Sequence, residues 1–334
     1  MNNSTHILTD NFGRKHSYLR ISLTEKCNLR CTYCMPSAGI PLLPRAHLMT
    51  ANEIYEIAQL FVENGVTKIR LTGGEPLVRK DFETIIRNLA KLKVEIAITT
   101  NGILLESYLP LLKELGILNI TISIDSLNAE KNQEITRRNY FDVVWKAIKK
   151  MQLLVPVVKL NVVLIKGIND NEINNFISLT QKENLKIRFI EFMPFDGNEW
   201  NTSKLVSEFQ ILDSANTYFN KQIIRLNDQP NDTSRNYKIN GSIGSFAIIS
   251  SVTNPFCDSC NRIRLTADGK LKNCLFSNNE TSLLNDFRNG QDIIPKIKLA
   301  IGNKQKQRGG MNTLSKLKDP KLHSNNRSMI AIGG

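Results

Sequence analysis

Between residues 18 and 194 the chain alternates strand-like and helix-like stretches six times, and few folds accept that rhythm. Residues 18–24 form a short apolar run of strand type. Thr50 and Glu53 then supply the two halves of a capping box. Ile54, Ile57, Ala58, Phe61 and Val62 recur at helical spacing until Gly65 stops the helix. Further strand patterns fall at 66–71, 94–98, 118–124, 157–165 and 187–192. Helical patterns separate them: one opened by Asp81 as N-cap, then about 106–115, 141–154 and 171–183. Alternation of this kind builds right-handed parallel units, and this many curl into a full or partial barrel. The expected fold class is therefore α/β, a partial (β/α)6 barrel of TIM type followed by a smaller C-terminal domain. The division falls at 1–215 and 216–334, because the rhythm breaks from about Thr202. Residues 216–240, rich in Asn, Asp and Lys, read as a linker or solvent-facing excursion, and 244–250 as a β-like stretch.

Polar and glycine-bearing segments collect just after the strands. They are Thr72-Gly73-Gly74-Glu75-Pro76, Thr99-Thr100-Asn101-Gly102, Asp125-Ser126, the segment 166–170 and Met193-Pro194. A single Gly-Gly or Asn-Gly is merely a turn. A series of them marks the C-terminal edge of the strands, where α/β folds build their sites.

The first of those edges carries Cys27-x3-Cys31-x2-Cys34, and all remaining cysteines form a second triple, Cys257-x2-Cys260-x13-Cys274. Thiols clustered this way in a reducing compartment point to metal or redox chemistry rather than to disulfides. Structural zinc and ordinary electron-carrying iron–sulfur clusters take four ligands, whereas three leave one metal position open. A zinc site completed from elsewhere and buried free thiols are the alternatives. Cys274 is expected in a strand that follows the turn 266–269.

With 44 Lys and Arg against 31 Asp and Glu, the net charge is +13. That balance suits a polyanion: nucleic acid, an anionic membrane or a small phosphorylated substrate. No nucleic-acid-binding motif accompanies it. No secretory signal or stretch of transmembrane length is evident, so a soluble, cytoplasmic protein is expected. Arg262 and Arg264 flank Ile263, which places both guanidinium groups on one face of a strand. Arg20, Arg70, Lys159 and Arg188 also fall within strands, and each must face a barrel lumen or find a carboxylate, with Glu75 and Glu191 as candidates.

The run Arg20-Ile-Ser-Leu-Thr24 before the first triple, with Gly73-Gly74-Glu75-Pro76 at the next strand end, resembles the radical S-adenosylmethionine (SAM) superfamily. The second triple, Asn261-Arg262-Ile263-Arg264 and the terminal Gly333-Gly334 narrow the resemblance to its GTP 3',8-cyclase family, from about Tyr18 to the end of the chain. The resemblance implies two [4Fe–4S] clusters, held by Cys27, Cys31 and Cys34 and by Cys257, Cys260 and Cys274. It implies SAM at the first cluster's open iron, with Tyr33, Gly74, Ser123 and Met193 lining that site. GTP would meet the second cluster, with Arg20, Arg70, Thr99, Lys159, Arg188, Arg262 and Arg264 around it and Gly333 and Gly334 reaching in from the tail. The implied reaction abstracts the 3' hydrogen of GTP, joins C3' to C8 and reduces the product to 3',8-cyclo-7,8-dihydro-GTP, the first step of molybdenum cofactor biosynthesis. Implied partners are a downstream cyclic pyranopterin monophosphate synthase, a reductant such as flavodoxin or ferredoxin and a second copy in a homodimer, with no membrane or nucleic acid. Glu25 departs from the pattern, standing where Asp is common. Two other readings compete: a peptide-modifying radical SAM enzyme with an auxiliary cluster, and a nucleic-acid-binding protein with structural cysteines.

Overall fold

The computed structural model describes residues 6–36, 38–319, 322 and 326–333. Strands β1 (Tyr18–Ser22), β2 (Lys68–Thr72), β3 (Glu95–Thr100), β4 (Asn119–Ser123), β5 (Val158–Leu164) and β6 (Leu185–Glu191) pair in that order, all parallel. Helices α1 (Ala51–Glu63), α2 (Phe82–Ala90), α3 (Leu105–Glu114), α4 (Ala129–Thr136) with α5 (Phe141–Gln152), and α6 (Ile173–Lys182) fill the crossovers. The capping box of α1 forms as expected: Thr50 Oγ1 accepts from the Glu53 amide at 3.2 Å and Glu53 accepts from the Thr50 amide at 2.7 Å, together worth about 1 kcal/mol. Asp81 stands at the N-cap of α2 without making a capping bond. Its carboxylate is drawn instead to Arg79, 2.8 Å away, whose guanidinium also reaches the carbonyls of Leu23 and Met49. Helix α4 escapes sequence reading because it carries almost no apolar periodicity. It is set by its cap, Asn128 accepting from the Lys131 amide at 2.8 Å.

Residues 216–240 are not a linker. They hold β7 (Ile223–Arg225) and β8 (Arg235–Ile239), an antiparallel pair, and β8 pairs with β9 (Ser245–Ile249), which runs parallel to β6. At this sheet edge most of β7 faces water, so the alternation that reveals a strand is missing. On the far side β10 (Arg262–Leu265) runs parallel to β1, followed by antiparallel β11 (Lys270–Lys272) and β12 (Thr281–Ser282). Cys274 lies in the loop after β11 rather than in a strand. The open sheet has the order β12-β11-β10-β1-β2-β3-β4-β5-β6-β9-β8-β7. Residues from the two ends of the C-terminal half thus flank both edges of the six-stranded partial barrel.

Period-two alternation decides what each face does. Leu19, Ile21, Ile69, Leu71, Ile98, Leu160, Val162, Ile187, Phe189, Ile263 and Leu265 point outward under the helices and are fully buried with Phe61, Phe82 and Phe176. Each such side chain contributes about 1.5–3 kcal/mol of burial. The alternate positions (Tyr18, Arg20 and Ser22 on β1, Arg70 and Thr72 on β2, Lys159 and Asn161 on β5, Arg188 on β6) turn to the lumen. The hydrophobic core is therefore the layer between strands and helices, and the lumen is left polar. Outside the barrel lie α7 (Glu208–Tyr218), α8 (Leu284–Arg288), α9 (Ile294–Gly302) and α10 (Leu314–Lys318), while α11 (Met329–Ile332) enters the lumen. No helix among the described residues is long and apolar enough to cross a membrane.

Candidate active site

The lumen divides into two chambers. Cys27, Cys31 and Cys34, on the loop leaving β1, line the upper one together with Tyr33, Gly74, Ser123 and Met193. Gly74 is required here by contact. Its amide donates to the Thr24 carbonyl and that of Glu75 to the Lys26 carbonyl, both at 2.8 Å. A Cβ on Gly74 would lie 2.7 Å from the Lys26 carbonyl carbon and 2.8 Å from the Glu25 oxygen. Glu25, the departure from the family pattern, is buried and accepts from the Leu43 amide at 3.1 Å, so it braces the segment beyond the cysteine loop. The Leu29 amide donates to Cys27 Sγ at 3.4 Å, and Asn101 Nδ2 lies 3.9 Å from the same sulfur. Tyr33 donates its hydroxyl to Asp125 at 2.6 Å, and burial pushes the Asp125 carboxyl up to about 6.

The second triple reaches the lumen from the opposite end. Cys257 and Cys260 precede β10, which is parallel to β1, and Cys274 follows β11, which is antiparallel to β10. All three thus sit at the N-terminal end of the barrel strands, across the lumen from the first triple. They line the lower chamber with Arg20, Arg70, Thr99, Lys159, Arg188, Arg262 and Arg264. Arg14 holds their loop in place, its guanidinium donating to the carbonyls of Cys257 (2.8 Å), Lys306 (2.8 Å) and Gln305 (2.9 Å).

Sheet register sets the electrostatics of this chamber. Arg264, Arg20 and Arg70 are direct cross-strand neighbours on β10, β1 and β2, and Lys159 stands opposite Lys186 on β5 and β6. Like charges placed directly opposite destabilise a sheet. Asp232 lines the chamber and offsets part of the charge on Arg188 and Lys186, but the two carboxylates that the sequence offered, Glu75 and Glu191, are engaged elsewhere. Glu75 accepts from the amides of Asn101 (2.7 Å) and Leu77 (3.0 Å) and from the Thr100 hydroxyl (2.8 Å). Glu191 accepts from the amides of Val252 (2.7 Å) and Thr253 (3.0 Å) and from the Thr253 hydroxyl. The salt bridges that the sequence allowed between these residues and the strand cations do not form. Burial, with mutual repulsion behind it, lowers Arg188 and Arg264 to about 10, lowers Lys159 to about 8 and pulls Arg20 down as well. Burial would by itself raise the Tyr18 phenol, but Arg70 and Arg20 hold it at about 8. A lumen crowded with cations is a site built for an anion.

Thr99, Asn161, Met193 and Met329 border both chambers, so the two communicate. Asn161 Oδ1 is buried at this neck without a hydrogen-bond partner. Helix α11 lines the upper chamber with Met329 and Ile330, and the Gly333 carbonyl accepts from Arg264. A Cβ on Gly333 would meet Ser22 Cβ at 3.0 Å, so the tail fits as glycine. Gly334 lies outside the described residues.

The donor sets suit iron–sulfur clusters. Burial pushes Cys27 up to about 12 and Cys257 to about 11, so thiolates form there only against a positive metal core. Among the described residues no three His, Cys, Asp or Glu groups are placed to hold a single metal ion. Sequence reading missed Tyr18, Lys68 and Lys186, which also line the lower chamber. Each stands two residues before a cation it did find, and that spacing was the available signal. The C-terminal strand edge, where sequence reading expected sites to collect, accounts for the upper chamber, and the lumen-facing strand cations account for the lower one.

Residues 21–180 match the Radical SAM superfamily, and residues 185–309 match a family described as Molybdenum Cofactor Synthesis C. Structures of SuiB from Streptococcus suis, one of them bound to S-adenosylmethionine, share the fold. For that structure the TM-score is 0.55 at 16% identity, covering 81% of this chain and 65% of the other. Fold and paired cysteine triples together define a radical SAM protein with a second cluster site. The chain belongs, more narrowly, to the GTP 3',8-cyclase family. It is 47% identical to the mitochondrial GTP 3',8-cyclase of Arabidopsis thaliana over 98% of this chain and 84% of that protein. It is 42% identical to the GTP 3',8-cyclase of Peptoclostridium acidaminophilum, covering 90% and 93%. Molybdenum cofactor biosynthesis protein 1 of Homo sapiens is 46% identical over 97% of this chain, which spans about half (51%) of that longer protein.

Proposed function

We propose that the chain is a GTP 3',8-cyclase acting at the entry to molybdenum cofactor biosynthesis. The observation that carries the reading is one lumen with a cysteine triple at each end and a chamber crowded with strand cations between them. Cys27, Cys31 and Cys34 would hold a [4Fe–4S] cluster, and Tyr33, Gly74, Ser123 and Met193 would hold SAM beside it. When bound, that pair supplies one-electron cleavage of SAM to a 5'-deoxyadenosyl radical. The chain's own part is to bind, orient and enclose. Cys257, Cys260 and Cys274 would hold the second cluster, with guanine against it. Arg20, Arg70, Lys159, Arg188, Arg262 and Arg264 neutralise the triphosphate, whose forked oxygens suit guanidinium donors. Thr99 and Asn161 border both chambers and would orient the ribose between them. The tail reaches the lumen at Gly333, whose carbonyl accepts from Arg264.

The reading extends to a cyclic pyranopterin monophosphate synthase as consumer of the product, to a flavodoxin or ferredoxin as electron donor, and to a homodimer working in the cytoplasm. It keeps two working parts, 1–215 for SAM and 216–334 for the second cluster. Anaerobic reconstitution tests it. Roughly eight irons and eight labile sulfides per chain are expected, four of each per cluster, with GTP bound by the loaded protein. Two zinc ions and no labile sulfide would overturn it.

A further inference from the structure

Lys304 lies just beyond α9 and is only 4% exposed, yet among the described residues no carboxylate stands within ion-pair distance of its amine. Nζ donates to the Arg262 carbonyl at 2.7 Å and reaches Cys260 Sγ at 3.5 Å. An ammonium removed from water needs a counter-charge. Arg262, Arg264 and Arg308 line the same chamber and sharpen the need, while Asp232, the carboxylate in that lining, makes no ion pair with the amine. The groups there that can carry negative charge next to the amine are the cysteine sulfurs. A second donor addresses the same site: the Arg308 amide points at Cys257 Sγ from 3.4 Å. The segment carrying both donors is fixed from outside by Arg14, through the carbonyls of Gln305 and Lys306.

We infer that Lys304 is a positioning residue for the second cluster, whose fixed positive charge against Cys260 Sγ raises the reduction potential of that cluster. Hydrogen bonds and cations at cluster sulfurs favour the reduced state, because the added electron is delocalised onto the sulfur. The couple takes up one electron and no proton, since the ammonium is already charged. The inference rests on the second triple being an iron–sulfur site. It adds what the thiols alone do not give, a lever that sets how readily this cluster exchanges an electron with whatever is bound to it.

The test is a redox titration of the second cluster, followed by electron paramagnetic resonance with dithionite as reductant. It uses the full chain carrying Cys27→Ser, Cys31→Ser and Cys34→Ser, so that one cluster reports. Lys304→Met removes charge and donor, Lys304→Gln removes the charge and keeps a donor, and Lys304→Arg keeps both. In the Met and Gln variants the reduced-to-oxidised ratio at a fixed potential should fall on the order of tenfold, about 59 mV for a one-electron couple, and Arg should restore it. Loss of iron from this site in the Met and Gln variants but not in Arg also supports a cation acting on the cluster. A cluster that assembles in all three with an unmoved midpoint overturns the inference alone. A parent chain that takes up no iron and sulfide at the second triple overturns the cluster reading, and the inference with it.

Discussion

Removing one cation from the lower chamber separates binding from folding. Arg188 faces the lumen from β6, directly opposite Asn161 on β5. Burial, then repulsion from Arg70, lowers its guanidinium to about 10. For a cation whose folded pKa is depressed, the folding penalty is complete at any pH below the folded value and is lifted only as pH climbs above about 10 toward the ordinary arginine range, so at neutral pH it applies in full. At 1.36 kcal/mol per unit the shift corresponds to roughly 3 kcal/mol, and contact with chamber water reduces it to about 1–2 kcal/mol. Arg188→Met keeps the aliphatic stem and discards the charge. Without ligand, the variant should be more stable than the parent by that amount, seen as a higher urea midpoint at unchanged slope. With GTP the order reverses. The parent gains about 2.7 kcal/mol at a hundredfold excess over its Kd, whereas the variant should gain little, and Arg188→Lys should fall between. A variant less stable than the parent by 1 kcal/mol or more, still shifted by GTP to the parent's extent, would refute the idea that this cage is strained until an anion fills it.

Three further outcomes follow from the geometry. Gly74→Ala forces a Cβ into the Lys26 and Glu25 backbone and should cost about 1–3 kcal/mol, with iron lost from the first site before the second, as resolved by spectroscopy of each cluster; iron retained at both sites would contradict the tight contact. Lys159, lowered from 10.5 to about 8, should lose its proton in the free protein above about pH 8. GTP affinity measured by calorimetry should then decline there, while this group's contribution to stability rises between about pH 8 and 10.5; Lys159→Met should flatten both trends. Cys260→Ala should leave SAM cleavage running uncoupled while cyclisation stops, as read by separate assays of deoxyadenosine and product.

The barrel was legible because outward positions on its strands are Leu, Ile, Val or Phe and most of its helices carry a clear apolar stripe. Arg20, Arg70, Lys159 and Arg188 were conspicuous for the same reason, as cations in otherwise apolar runs. Neighbourhood was hidden. That Arg264, Arg20 and Arg70 share one level depends on β10 returning about 240 residues later to pair beside β1, a long-range register that no local pattern encodes. The role of 216–240 was obscured by exposure: an edge hairpin held by Arg225 stacked on Tyr237 and by Asp228 accepting from Asn236 reads, residue by residue, as a polar linker. Lys304 was invisible because one lysine in a basic tail carries no signal until its burial against Cys260 is known.

The central claim is that one lumen brings SAM and GTP to the two cysteine triples. Anaerobic turnover of the reconstituted protein with GTP, SAM and a strong reductant tests it most directly, with products identified by mass. The account predicts 5'-deoxyadenosine and a cyclised 3',8-cyclo-7,8-dihydro-GTP formed together and lost together when SAM is omitted. Deoxyadenosine released at full rate while GTP is recovered unchanged would contradict it.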